Sequence, residues 1–292
     1  MEHKAGYVNI IGNPNVGKST IMNALVGERL SIITQKSNTT RHRIMGIVNG
    51  DDYQIIYSDT PGLLSPTNKL HKSMMAFVKE ALADADIFLV VTELGESIRN
   101  NDTLDYISQS NVPTILVVNK IDLSSEDIVK VRIKEWETRL PQAVIIPCSA
   151  ITGFGIAKIF DTIISMLPVS PAYFEKDRLT DRSLRFFAAE IIRKQILLTY
   201  KKEIPYCVEV AIERFEEKKE RNVISAVIYV ERESQKAIII GHGGEMLKRI
   251  GTAARKDIED FTQKACFLEL FVKVSDSWRQ NDTALRRFGY KN

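Results

Sequence analysis

Long apolar runs are missing from this chain of 292 residues. The longest, such as Ile87 to Val91 and Ile115 to Val118, have the length of a strand, far short of the roughly 20 residues that cross a bilayer. No membrane-spanning helix is expected. Residues Met1 to Gly6 lack the apolar core of a signal sequence, so export is not expected either. Cysteine is scarce: Cys148, Cys207 and Cys266 are odd in number, far apart and set among apolar neighbours. That argues against a disulfide framework or a zinc site and predicts reduced core thiols in a cytoplasmic protein. Internal repeats and low-complexity tracts are absent, which leaves ordinary globular domains. Excess charge is also small, at +3 overall, but its signs separate. Through Ser170 there are 16 Lys/Arg against 18 Asp/Glu, and from Pro171 onward 24 against 19. A solvated face and an anionic partner are both open explanations of the basic second half.

What is present is a soluble composition, 44 % hydrophobic and 26 % charged, on a chain long enough for two domains. The first 168 residues alternate strand-like runs (Tyr7 to Ile11, Tyr53 to Asp59, Ile87 to Thr92, Thr114 to Asn119, Ala143 to Cys148) with amphipathic stretches such as Ser73 to Ala83. That rhythm predicts an α/β domain with a mostly parallel sheet flanked by helices, binding its ligand at the carboxyl ends of the strands. Pro168-Val169-Ser170-Pro171 closes a last helix, Gly153 to Leu167. The expected boundaries are therefore a first domain over 1–170, a linker over 171–182 and a second domain over 183–292. The second domain reads as α+β: helix (Ser183 to Tyr200), strand (Tyr206 to Phe215), charged turn (Glu216 to Asn222), strand (Val223 to Glu231), short strand (Ala237 to Ile240), helix (Glu245 to Phe261) and strand (Phe267 to Val274).

The most informative stretch is Gly12-Asn13-Pro14-Asn15-Val16-Gly17-Lys18-Ser19-Thr20, between the first strand and a helical pattern. It fits G-x-x-x-x-G-K-[ST], in which backbone N–H groups wrap a diphosphate, the lysine reaches the β and γ oxygens and the serine hydroxyl ligates Mg²⁺. The helix start adds a positive dipole end. Asp59-Thr60-Pro61-Gly62 ends a strand about 40 residues later; there Asp59 would hold Mg²⁺ through water and the Gly62 N–H would meet a γ-phosphate. Asn119-Lys120-Ile121-Asp122 ends another strand. A carboxylate at Asp122 accepts from N1–H and the exocyclic amine of guanine, donors that adenine lacks there. Asn119 would serve N7 and tether the phosphate loop, the Lys120 stem would lie on the ring, and Ser149-Ala150 would bring an N–H to O6. Leu63 stands where many GTPases place a water-orienting glutamine, so slow intrinsic turnover is expected.

In the second half Gly241-His242-Gly243-Gly244 precedes a basic helix. Such a loop lets an RNA backbone pass close while a helix N-terminus faces phosphate. Lys236, Lys248, Arg249, Arg255 and Lys256 are the candidate RNA contacts, although at helical spacing not all share one face. Arg185, Arg193, Lys194 and Trp278 are alternatives, each equally explained by packing or solvation.

Taken together these strings, with Thr39-Thr40-Arg41-His42-Arg43, resemble the translation-factor-related GTPases, and over essentially the whole chain the Era family. The resemblance implies a P-loop GTPase domain followed by a type II KH domain. It also implies a first switch over Ser31 to Arg43, with Thr40 or Thr39 completing a Mg²⁺ shell and Thr40 favoured. The second switch would run from Gly62 to about His71. Asn15 is a candidate ligand for K⁺ beside the phosphates. The implied partners are GTP and GDP, the 3′ end of 16S rRNA and the 30S subunit, whose maturation the protein would assist as a monomer, with a link to cell-cycle or metabolic regulation. A rival reading is a regulator held peripherally on the cytoplasmic face of the inner membrane, its tail Leu285 to Tyr290 meeting anionic lipid. A third keeps nucleotide binding without turnover.

Overall fold

The computed structural model describes residues 2–96 and 101–290, and the chain divides into two compact units. The first comprises Met1–Ser31, Thr40–Thr67 and Met74–Asp181; the second comprises Ile32–Thr39, Asn68–Ser73 and Arg182–Asn292. Among the described residues no helix is long and apolar enough to cross a membrane.

Among the described residues six strands build the first unit: β1 (Lys4–Gly12), β2 (Ile44–Asn49), β3 (Tyr53–Asp59), β4 (Ile87–Glu93), β5 (Thr114–Asn119) and β6 (Val144–Pro147). Their order is β2-β3-β1-β4-β5-β6, with β2 antiparallel to β3 and the other pairs parallel. Leu89, Val90 and Val91 on β4, and Leu116, Val117 and Val118 on β5, are fully buried at consecutive positions. Consecutive burial means that both sheet faces are covered, as crossover helices require. These helices are α1 (Lys18–Val26), α2 (Lys69–Ala83), of which Met74 onward belongs to this unit, α3 (Asn101–Gln109), α4 (Glu126–Arg139) and α5 (Ile156–Met166). Pattern reading finds five of the strands; β2 escapes it because Gly46 and Asn49 interrupt its apolar sequence, and its pairing with β3 supplies the missing preference.

Residues 171–181, within the linker expected over 171–182, are fixed against this unit. Fully buried Gln54 on β3 accepts the N–H groups of Tyr173 (2.7 Å) and Phe174 (3.0 Å) on Oε1 and donates from Nε2 to Phe174 O (2.8 Å). Along β2, Ile47 N donates to Leu179 O (2.8 Å), Thr180 Oγ1 to Met45 O (2.6 Å) and Met45 N to Asp181 Oδ1 (3.0 Å). An uncovered edge strand would invite pairing with another chain.

The second unit holds α6 (Leu184–Thr199), α7 (Ile204–Cys207), β7 (Glu209–Glu217), β8 (Arg221–Val230), α8 (Glu233–Ile240), α9 (Glu245–Thr262), β9 (Ala265–Val274) and α10 (Asp282–Arg287). The sheet order is β7-β8-β9, antiparallel then parallel. Ile192 and Ile196 of α6 and Ile250, Ala254 and Ile258 of α9 share one core with Ile224, Ala226 and Ile228 of β8.

One expectation is corrected here. The short strand at Ala237 to Ile240 is the end of helix α8. Three successive isoleucines favour a strand by propensity, but Gln235 Oε1 accepts the Glu231 and Arg232 N–H groups and caps a helix start, and Ile239 is buried while Ile238 is exposed. In the tail Leu285 to Tyr290, Leu285 and Tyr290 are buried, with Tyr290 OH donating to Glu209 Oε2 at 2.6 Å, while Arg286 and Arg287 are exposed. Trp278 is likewise buried, with Nε1 donating to Cys207 O at 2.9 Å.

Within the second unit, the segment Ile32–Thr39 is gripped by α6. Buried Arg193, held by Glu190 at 2.8 and 2.5 Å, donates to Thr39 O at 2.5 Å, and the Lys36 ammonium donates to Leu197 O in the last turn of α6. That cation sits where the helix leaves carbonyls unpaired.

Candidate functional site

The loop between β1 and α1 has a shape that two glycines make possible. A Cβ on Gly12 would stand 2.1 Å from Val91 O, and one on Gly17, at φ +99°, would stand 2.2 Å from Asn119 Nδ2. Asn13 and Val16 are buried, Pro14 is half-buried and Asn15 is exposed at φ +66°. Lys18 is buried and donates to Gly12 O (3.1 Å) and Asn13 O (2.9 Å). Desolvation lowers its ammonium to about 8, against the opposing charges of Asp59 and Glu96. Thr20 lies in the first turn of α1.

Ser19, Thr40 and Asp59 converge. Ser19 Oγ donates to Asp59 Oδ2 at 2.6 Å, and the Thr40 hydroxyl lies 3.0 Å from Ser19 Oγ and 3.4 Å from Asp59 Oδ2. Asp59 Oδ1 is buried without a hydrogen-bond partner, and desolvation raises the carboxyl pKa against the Lys18 charge and the neighbouring hydroxyls. A buried carboxylate with an orphaned oxygen beside two hydroxyls is a hard-oxygen donor set that fits Mg²⁺. Thr39 is elsewhere: its hydroxyl donates to Lys36 O at 2.7 Å and lies 2.7 Å from Thr34 Oγ1. After Asp59, Thr60 Oγ1 donates to Ile10 O (2.6 Å), Pro61 follows, and a Cβ on Gly62 would fall 2.7 Å from Pro14. Leu63 is buried, its N–H on Gly12 O at 3.1 Å.

At the end of β5, Asn119 Nδ2 donates to Val16 O (2.8 Å) and Oδ1 accepts Ala150 N–H (3.1 Å). One side chain therefore ties the phosphate loop to the turn after β6. Lys120 is left-handed, at φ +62°, and its ammonium pairs with Glu93 at the end of β4. Asp122 is exposed in the turn Ile121–Leu123. The amides of Ser149 and Ala150, one of which was expected to meet guanine O6, both bond within the protein, Ser149 N to Phe154 O at 3.0 Å and Ala150 N to Asn119. Asn119 accounts for the second of these bonds, and the turn closed by Phe154 for the first.

The glycine loop of the second unit joins two helices. A Cβ on Gly241 would lie 2.6 Å from Met246 Cγ, whereas Gly243 and Gly244, at φ +56° and +82°, face open space. Exposed His242 completes the loop. Beside it runs a groove of about 380 Å³ between α9 and β9, with Gly244, Lys248, Gly251 and Arg255 on one wall and Leu268 and Leu270 on the other. Lys236, Arg249 and Lys256 do not line it: Lys236 lies 3.7 Å from Glu233, and Arg249 and Lys256 are each one residue, about 100°, around α9 from Lys248 and Arg255. Arg193 is buried, Lys194 pairs with Asp257 (2.9 Å) and Arg185 donates to Ile212 O (2.7 Å). Pattern reading misses Leu247, Gly251, Thr252, Leu268 and Leu270; Gly251, seven residues past Gly244 in a helix, is the available signal, its missing side chain clearing Leu270.

Residues 7–120 match the family described as 50S ribosome-binding GTPase, and residues 203–279 match the KH domain. The GTPase Era of Syntrophus aciditrophicus (strain SB) is 46 % identical over 291 residues, covering 98 % of this chain and 95 % of its own. A chloroplastic ERA-like GTPase of Oryza sativa subsp. japonica is 42 % identical over 99 % of this chain and 70 % of its own. The crystal structure of a point variant of Aquifex aeolicus Era bound to GDP·AlF4⁻ superposes with a TM-score of 0.94 at 38 % identity, covering 99 % of this chain and all of that one. A structure of Era in complex with MgGDPNP and nucleotides 1506–1542 of 16S ribosomal RNA gives the same figures. With this agreement along nearly its whole length, and both domains in the same order, the chain belongs to the Era family of GTPases.

Proposed function

We propose that this GTPase is a switch whose KH unit binds the 3′ end region of 16S rRNA in its GTP form, releases it after hydrolysis and so assists maturation of the 30S subunit in the cytoplasm. The observation that carries the reading is the groove beside Gly241–Gly244, with a close-approach glycine loop, two cations and apolar walls suited to unstacked bases. A relative 38 % identical was solved with MgGDPNP and a 16S rRNA fragment, which supports the choice of RNA. Three free, buried cysteines fit a reducing compartment.

On this reading Lys18 and the amides of the loop 12–18 bind the phosphates, and Asp122 selects guanine. Ser19, Thr40 and, through water, Asp59 would hold Mg²⁺, which neutralises phosphate charge when bound. Leu63 offers no polar group to orient water, so catalysis rests on positioning and on the Lys18 charge, and unaided turnover is slow. A potassium ion at Asn15 would add a second positive charge, consistent with the exposed side chain at a left-handed position. Turnover several-fold faster in potassium than in sodium buffer is the expected result; equal rates remove the ion from the mechanism.

Lys248→Ala and Arg255→Ala, each removing one cation from the groove, test the RNA assignment. Each is expected to weaken binding of the fragment 1506–1542 by about tenfold and to lower the salt slope by ~0.7. Unchanged affinity and slope in fluorescence anisotropy titrations would move the RNA off this groove.

A further inference from the structure

The strand that forms one wall of the groove has a second face. β9 lies at the sheet edge, and its residues alternate: Leu268 and Leu270 line the groove, while Phe267, Glu269 and Phe271 point to the opposite side. Phe267 and Phe271 are 47 % and 49 % exposed, unusual for two large aromatic side chains on one strand face. Their cross-strand partners on β8, Val223 and Val227, are buried, while about half of each aromatic residue is open to solvent. Four residues of strand separate the rings by about 13 Å, enough for two different bases. Between them Glu269 shares a cross-strand row with Ser225 and Arg214, and the Arg214 guanidinium, paired with Glu216, is half-exposed.

We infer that Phe267 and Phe271 form a second contact surface for single-stranded RNA, on which bases leaving the groove over the edge of β9 stack, while Glu269 accepts from base amino groups between them. The inference rests on the RNA reading of the groove and extends the footprint to the far side of the same strand. Continuity selects the occupant, because the two surfaces are alternate side chains of one strand. Charge selects the mode of binding: Arg214 and Lys273 are matched by Glu216 and Glu213, so this face attracts bases through their ring faces rather than phosphates.

Full-length protein is titrated with two RNA probes: the fragment 1506–1542 of 16S rRNA and a tetranucleotide from its 3′ end, short enough to fill the groove only. The double variant Phe267→Ala, Phe271→Ala is expected to bind the long fragment at least tenfold more weakly, with its salt slope unchanged, and the tetranucleotide as tightly as the parent does. In Phe271→Trp the new indole is expected to be quenched by the long fragment and not by the tetranucleotide; Trp136 and Trp278 are fully buried and give a steady background. Equal affinities of parent and double variant for the long fragment, an equal loss for both probes, or an unquenched indole would overturn the inference. Loss of both probes in Lys248→Ala and Arg255→Ala, but not here, would leave the groove standing without this face.

Discussion

Asp122→Asn is expected to turn the preference of the pocket from GTP to xanthosine triphosphate. Guanine presents two donors, N1–H and the 2-amino group, and the carboxylate accepts both. An asparagine keeps one acceptor and turns an NH₂ towards the 2-amino group, so one charge-assisted bond becomes a donor facing a donor. Such bonds contribute about 1.5–3 kcal/mol, and the lost partner adds a desolvation cost. GTP affinity should therefore fall by about a hundredfold or more. Xanthine carries an oxygen in place of that amine and accepts from the new amide, so its affinity should rise by a comparable factor. Asp122 is exposed, and the exchange leaves the core untouched. Competition of both triphosphates against a fluorescent GDP measures the change; continued preference for GTP would place guanine reading elsewhere.

Lys18→Ala should lower turnover by about a thousandfold or more. The ammonium is buried and pushed down to about 8 by lost hydration, so at neutral pH it remains charged in a setting where phosphate oxygens replace water. Removing one preorganised charge from such a site costs about 10²–10³ in rate, and here it also removes ground-state binding of the same phosphates. The sign with pH follows from the depressed value. Below about 8 the buried cation opposes folding of the nucleotide-free protein, and this opposition fades as pH rises from about 8 towards the unfolded value of 10.5. The variant should accordingly melt within a few degrees of the parent without nucleotide, and lose the increase that GDP gives the parent. Phosphate release and melting curves with and without GDP check both; a retained GDP shift would refute the role of Lys18.

How far the sequence carried depended on whether geometry is encoded locally. The phosphate loop and the Asn119–Asp122 turn each fit within nine residues, and their spacing relative to strand ends places Ser19 beside Asp59 across 40 positions. The choice between Thr39 and Thr40 was not local. The fold brings the Thr40 hydroxyl to Asp59 and turns that of Thr39 back to Lys36. Ile238 to Ile240 misled because β-branched propensity outweighs pattern in so short a run, whereas capping by Gln235 and the burial of Ile239 belong to tertiary structure. Leu268 and Leu270 were visible only as a strand, since nothing in their own neighbourhood says that α9 stands across a gap from them.

The anchoring of residues 171–181 changes where the first unit ends for anyone wishing to excise it. Cutting after Ser170, at the proline-rich break, would leave the Gln54 amide only its bond to Asn49, removing its three bonds to Tyr173 and Phe174, and would uncover the outer backbone of β2. A graft that exchanges the nucleic-acid module for another should join its foreign sequence after Asp181, and keep the eleven residues before that junction as part of the piece that hydrolyses GTP.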